Sequence, residues 1–297
     1  MNLDPTTVTP TTITLEPYSS SLSSLGPAAA LGTTFVVPTY TKYGNQALFG
    51  SVATAYQSIT QVTSNVNSSY NAAVFEIQNR SIRNLQFDFN YTWSHALDFS
   101  QNATTTVSGN NWYDPYSNPF VNYGNSSYNV PNRFVGYALY KLPQLSGHSW
   151  YTYLSNGWSV DTSFQMQSGL PYSANVSNFA GDGIVSDWNG SGGLSIIPGL
   201  GINTYKTPRK IVDDLRVQKE FTFAGKYNLQ FFANMFNVAN HQNIDGVGTT
   251  AYKLASTGAT TGTATFQAPT FQVPTSSNNS GFLYTPREIE IATRFTF

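Results

Sequence analysis

Strict period-two alternation, held over stretches longer than an ordinary sheet strand, is the feature that most narrows what this chain can become. The final segment, Arg287 to Phe297, places Ile289, Ile291, Thr293, Phe295 and Phe297 on one face and Glu288, Glu290, Ala292, Arg294 and Thr296 on the other. Successive side chains of a strand point to opposite sides, so this is a strand with one bare apolar face. The split recurs upstream. Residues 70–80 set Ala73, Phe75 and Ile77 against Glu76, Gln78 and Arg80, and residues 83–94 set Leu85, Phe87, Phe89, Tyr91 and Trp93 against Asn84, Gln86, Asp88, Asn90, Thr92 and Ser94. Residues 157–170 oppose Trp158, Val160, Phe164, Met166 and Leu170 to Ser159, Asp161, Ser163, Gln165 and Gln167. Residues 211–223 oppose Leu215, Val217, Phe221 and Phe223 to Asp214, Arg216, Gln218, Glu220 and Thr222, and residues 227–237 oppose Tyr227, Leu229, Phe231 and Met235 to Asn228, Gln230 and Asn234. Residues 132–143 read as a strand with mixed faces, whose orientation the pattern leaves open.

Strands of about ten residues are the length a tilted membrane-spanning strand needs, whereas ordinary sheet strands average about 5–6. The connections alternate in length. Tight turns fall at Ser81-Ile82 and Ala224-Gly225-Lys226, and long polar loops fall at about 99–131, 174–207 and 241–284. Short turns on one side and long loops on the other are the layout of an outer-membrane barrel. Each large apolar side chain gains roughly 1.5–3 kcal/mol on leaving water, so some apolar phase must cover these rows. In a β-sandwich a second sheet covers them; in a barrel lipid does, and the strands must close into a ring because unpaired backbone in hydrocarbon is costly. Tyr91, Trp93, Tyr140, Trp158 and Tyr172 lie near strand ends, as an interfacial aromatic girdle requires.

Composition agrees. Charged residues are 10% and aromatics 15% of the 297 residues, with polarity carried by Asn, Ser, Thr and Gln. No apolar run is long enough for a membrane helix. A net charge of -1 gives no reason to expect nucleic acid as a partner. Cys is absent, which excludes disulfides and thiolate metal sites. His95, His148 and His241 have no metal-like partners at short spacing, and no nucleophile elbow or phosphate loop occurs, so no enzyme, cofactor or metal is expected. Gly181-Asp182-Gly183 and Asp187-Trp188-Asn189-Gly190 carry oxygen ligands at turn positions; such dipeptides are more often simple turns than calcium loops. The rows Glu288, Glu290, Arg294 and Asp214, Arg216, Glu220 are expected to pair charges across strands on the polar face.

Several phrases occur in order: NLQFDFNYTWSHALD (84–98), NRFVGYALYKLP (132–143), NGWSVDTSFQMQSGLPYS (156–173), DLRVQKEFTF (214–223), YNLQFFANMFNVANHQN (227–243) and REIEIATRFTF (287–297). Together they resemble the C-terminal barrel segment of TonB-dependent outer-membrane transporters of the Oar-like group, which carries an N-terminal carboxypeptidase-regulatory-like domain. The resemblance implies an outer-membrane location and uptake of a large nutrient (a glycan, peptide or metal chelate), energised by the TonB complex. It also implies a barrel of about 22 strands with a plugged lumen. Met1-Asn2-Leu3-Asp4-Pro5 lacks the basic and apolar regions of a secretory signal, and no plug-like segment is recognisable, so a C-terminal fragment of a longer protein is expected, with TonB contacted through the missing part.

The expected fold is therefore all-β: an antiparallel transmembrane β-barrel segment, a partial barrel of about seven to nine strands with long extracellular loops. Residues 1–32 read as an irregular lead-in or loop and 33–297 as the C-terminal part of the barrel. Leu85, Phe87, Phe89, Leu229, Phe231, Ile289 and Ile291 are expected to face outer-membrane lipid. Glu290, Ala292, Phe295 and Phe297 resemble the terminal signal read by the barrel-assembly machinery, although the family usually has Gly where Ala292 stands. Trp112, Tyr113, Tyr116, Tyr123 and Trp188 are the loop aromatics that could stack on a ligand. The alternative reading is a self-contained small outer-membrane barrel or secreted β-sandwich with an adhesive or structural role.

Overall fold

The computed structural model describes residues 3–15, 34–42, 66–99, 119–147, 149–177, 196–197, 200–223, 225, 227–257, 261–266, 270–277 and 285–297. Along the chain the strands are β1 (Leu3–Leu15), β2 (Thr34–Lys42), β3 (Ser69–Asn79), β4 (Leu85–Asp98), β5 (Gly124–Asn125), β6 (Asn132–Lys141), β7 (Trp158–Gln167), β8 (Pro171–Tyr172), β9 (Asn175–Ser177), β10 (Tyr205–Lys206), β11 (Lys210–Phe223), β12 (Tyr227–Phe236), β13 (Ile244–Val247), β14 (Thr250–Thr257), β15 (Thr261–Phe266), β16 (Pro274–Ser277) and β17 (Glu288–Thr296). One α-helix is described, α1 (Trp150–Ser155), between β6 and β7.

The long strands form one antiparallel wall in the order β17-β12-β11-β7-β6-β4-β3, with β5 appended to β4. Each strand pairs with its sequence neighbour among the long ones, an up-and-down meander. The register carries apolar positions onto one face throughout. Phe75, Tyr91, Phe134, Met166 and Ile211 form one row, and Phe87, Ala138, Thr162, Leu215, Met235 and Ile289 another. Polar positions such as Asp88, Ser163, Asp214, Asn234 and Glu290 share the opposite face.

The same register fixes how the strands lean. A row perpendicular to the strands starts at Asn79, the short-turn end of β3, and arrives at Ile289, seven residues before the short-turn end of β17 at Thr296. Six pairings therefore accumulate a stagger of seven residues. At about 3.3 Å per residue and about 4.8 Å between strands, that is a tilt of roughly 40°, the lean of strands in a closed barrel. A strand of 10 residues at that tilt rises about 25 Å, matching the apolar band of an outer-membrane barrel. Among the described residues β3 and β17 do not pair with each other, so the wall is an open arc.

The structure departs from the sequence expectation in its first strands and its loops, and settles the orientation of β6. Residues 3–15, expected as irregular, form β1, because Thr, Val and Ile dominate the segment and β-branched residues favour extended backbone. With β2 it joins a second sheet in the order β2-β1-β15-β14-β9, so residues 34–42 belong to this sheet and the wall starts at Ser69, not at 33. The long loops also hold their own core: Ala174, Val176, Ile196, Ile197, Ile202, Tyr205, Ala251, Tyr252 and Phe271 are all buried. Finally β6 has a definite orientation. Phe134, Gly136, Ala138 and Tyr140 lie on the apolar face and Arg133, Val135, Tyr137, Leu139 and Lys141 on the other.

Local chemistry explains the turns. The Asn79 amide donates to the Leu85 carbonyl at 2.8 Å and its oxygen accepts from the Ser81 and Ile82 N–H groups, closing the β3–β4 turn. Gly136 is needed for space: the Phe89 ring lies across it, and a Cβ there would stand 2.1 Å from a ring carbon. Phe89, Phe134 and Phe164 then pack as a chain, with centroids 5.8 and 5.6 Å apart. Gly136→Val is expected to displace Phe89 and cost about 1–3 kcal/mol, read as a lowered urea midpoint of the folded protein in lipid or detergent. An unchanged midpoint would show that the ring has room to move.

Candidate functional site

The wall offers two surfaces of opposite character. On the apolar face the rows are uncovered: Phe75 is 63% and Ile291 80% exposed, and Phe231, Ile289 and Phe295 are exposed as well. Leu85, Phe87, Phe89 and Leu229 share that face and are half-buried by their own neighbours. No second sheet lies on it among the described residues, which is the arrangement a β-sandwich would demand. Tyr91 and Trp93 stand toward the long-loop end, and Tyr140 and Trp158 toward the short-turn end. Tyr172 does not join them. It sits in β8 within the loop layer, stacked on Tyr205 at 5.7 Å, with Phe271 edge-on to Tyr205 at 5.7 Å. Burial pushes the Tyr172 phenol above its ordinary pKa, opposed by a hydrogen bond with the Gln272 side chain.

The polar face holds a shallow basin of about 400 Å³, lined among others by Gln86, Tyr137, Asp161, Ser163, Asp214, Arg216 and Asn234. The charges there are not coupled as direct ion pairs. Arg216 Nε donates to Asn234 Oδ1 at 2.7 Å, and Asn234 Nδ2 donates to Glu290 Oε2 at 3.1 Å, so an amide relays between the opposite charges. Asp214 accepts the Asn237 backbone N–H at 3.0 Å. Asp161 sits beside Arg216 in register, and its Oδ1 is buried without a hydrogen-bond partner. The expected cross-strand charge pairing is thus replaced by hydrogen bonds. The ion pair found among the described residues, Lys210 with Asp245, lies at the loop end of β11. The basin can hold a polar solute through its amide, hydroxyl and guanidinium groups, Gln86, Ser163, Asn234 and Arg216 among them.

Above the wall, asparagines bind the loops together. Asn125 and Asn203 each donate from the side-chain amide to the other's backbone carbonyl, at 3.2 and 2.6 Å. Asn129 Oδ1 accepts the Ala96 N–H at 2.9 Å. Asn243 brackets the backbone of Ile211, accepting from its N–H at 2.7 Å and donating to its carbonyl at 2.8 Å, as a strand neighbour would. Asn237, with φ of 49°, donates to the His241 and Thr285 carbonyls. His95 Nε2 meets Asn125 Oδ1 at 3.1 Å, and no metal-holding group of His, Asp and Glu is found among the described residues.

Of the loop aromatics read from the sequence, Tyr123 packs on Phe99 with centroids 4.9 Å apart. Trp112, Tyr113, Tyr116 and Trp188 lie outside the described residues, as do His148 and the segments 181–183 and 187–190. At the C-terminus, Glu290 and Ala292 occupy the polar face. Phe295 stacks on Tyr227 at 6.2 Å and on Phe297 at 6.0 Å. The pattern gave no sign of Lys219, which stands in the apolar row between Trp158 and Phe231 and is only 5% exposed.

No curated protein and no solved structure matches the chain. The family model for an outer membrane beta barrel domain matches residues 17–194, more than half of the chain and a span that includes β3, β4, β6 and β7 of the wall. With β11, β12 and β17 continuing the same sheet beyond the match, the chain belongs to the outer membrane beta barrel domain family and resides in the outer membrane.

Proposed function

We propose that this chain is an arc of the wall of a TonB-dependent transporter of the Oar-like group, serving energised uptake of a large nutrient such as a glycan fragment, peptide or metal chelate. The observation that carries the reading is the open, barrel-staggered arc. Its strands lean as a closed ring demands, yet β3 and β17 stay unpaired with each other. Unpaired backbone groups cost several kcal/mol each in hydrocarbon, so further strands must complete the ring. A ring of about 22 strands, as in such transporters, has a lumen wide enough for a plug. The ordered phrases between residues 84 and 297 support the same assignment. Leu85, Phe87, Phe89, Leu229, Phe231, Ile289 and Ile291 then contact lipid, and the polar basin at Asp161 and Arg216 lines the passage. No catalytic step is part of this reading.

Genetic epistasis tests transport. Deleting this gene and deleting the producing organism's TonB gene should abolish growth on a shared large nutrient, and the double deletion should be no worse than either. A nutrient defect that persists unchanged in a strain already lacking TonB overturns the energised-uptake reading. The lipid contact is tested by Ile291→Lys. At a bilayer midplane it should cost about 2–4 kcal/mol, read from unfolding in lipid vesicles, whereas a water-exposed site tolerates it within about 0.5 kcal/mol. The assembly signal is tested by Phe295→Ala together with Phe297→Ala, which should lower the outer-membrane level of the protein by immunoblot; unchanged levels would count against recognition of the terminal aromatics.

A further inference from the structure

The β6–β7 connection sits at the short-turn end of the wall but is far longer than the two neighbouring turns there. Residues 142–157 contain no Asp, Glu, Lys or Arg. Instead of hanging free, the segment is wired into a compact platform. Asn156 Oδ1 accepts the Leu145 N–H at 2.7 Å and Asn156 Nδ2 donates to the Leu145 carbonyl at 2.9 Å. The buried Thr152 hydroxyl donates to the Ser149 carbonyl at 2.6 Å. Gly157, with φ of 76°, passes so close to β11 that a Cβ would lie 2.4 Å from the Glu220 carbonyl oxygen.

The platform is held against the apolar side of the wall. Lys219 Nζ donates to the Tyr153 carbonyl at 2.7 Å and to the Asn156 carbonyl, and Trp158 Nε1 donates to the Leu154 carbonyl at 2.7 Å. Lys219 and Trp158 both belong to the apolar row. The ammonium also lies 4.6 Å from the Phe221 ring centroid and 5.5 Å from that of Trp158. A cation in a lipid-facing row is thus satisfied by helix-end carbonyls and ring faces. What the platform turns outward is apolar: Trp150 is 75% exposed, and Tyr151, Tyr153 and Leu154 are exposed with it.

We propose that α1 is an interfacial anchor, seating Trp150, Tyr151 and Leu154 in the headgroup layer of the periplasmic leaflet and pinned to the wall by Lys219. The occupant is phospholipid because the patch is continuous with the apolar face of an outer-membrane barrel, at the end where such barrels keep their short periplasmic turns. Trp and Tyr have the ring-plus-polar-tip chemistry that this layer favours. The inference rests on the apolar face being the lipid face.

These 297 residues contain no Cys, so each single-cysteine variant places its nitroxide at one known position among them. Tyr151→Cys and Leu154→Cys would be labelled in outer-membrane vesicles, beside Ile291→Cys on the wall and Ser81→Cys in the β3–β4 turn. Collision with oxygen and with a water-soluble nickel chelate reads depth. The labels at 151 and 154 should sit about 5–10 Å into the interface, between the values of the two references. Nickel accessibility equal to that of Ser81→Cys, with Ile291→Cys still in lipid, overturns the anchor. Exclusion of both colliders at 151 and 154 means a protein covers the patch and overturns it as well. A nickel-accessible Ile291→Cys sinks the lipid-face reading instead. In a Lys219→Met background the label at 151 should shift toward the Ser81→Cys value; a folded variant with unchanged depth overturns the pin. If that variant does not fold, the depths measured with Lys219 in place decide the anchor.

Discussion

Backbone hydrogen bonding in hydrocarbon is the constraint on which the rest of the structure depends. A strand that leaves water must pair along both edges, and each pairing fixes which side chains share a face. A slip of one residue between β11 and β12 would turn Leu229, Phe231 and Met235 toward the polar basin and send Asn228, Gln230 and Asn234 into the apolar row. The observed pairings keep the aromatic and aliphatic rows in phase from Phe75 on β3 to Ile289 on β17. They also build the stagger, so that facing and lean come from the same set of hydrogen bonds.

Much of the wall was legible because period two survives wherever one face is greasy and the other wet. Residues 85–93 and 289–297 declared their faces outright. β6 did not, because its apolar face carries the small residues Gly136, which lies under the Phe89 ring, and Ala138, while Val135 and Leu139 stand on the other side. Lys219 was silent for the opposite reason. Its charge broke the alternation, and the partners that accommodate it, the Tyr153 and Asn156 carbonyls, come from a segment with no periodicity. The polar basin was half legible. Asp214, Arg216 and Glu220 were read as a row, but the relay through Asn234 requires the neighbouring strand's register.

The loop layer was the least legible part, and its chemistry explains the unusual composition. Buried residues such as Ile196, Ile197, Ile202 and Phe271 come from short irregular runs broken by Gly, Asn and Pro, where no period exists to detect. Irregular backbone leaves N–H and C=O groups that still need partners once buried. Asn supplies a donor and an acceptor in one side chain without the desolvation cost of a charge. Asn243 on Ile211 and Asn156 on Leu145 each replace a missing strand neighbour, and the Asn125–Asn203 pair ties two loops that are distant in sequence. A chain with 10% charged residues can therefore keep a polar, ordered surface.

The placement of charge follows the same economy. On the polar face, Arg216 and Glu290 are separated by an amide, which keeps them from collapsing into a single ion pair and leaves Arg216 at the basin. On the apolar face a lysine occurs where the short-turn end can fold a platform over it. In both cases uncharged hydrogen-bonding groups stand beside the charge. Asp161 is the exception, with a buried oxygen that no neighbour among the described residues satisfies, and it faces the basin. A buried oxygen without a partner bears the desolvation cost that the amide between Arg216 and Glu290 spares those two charges.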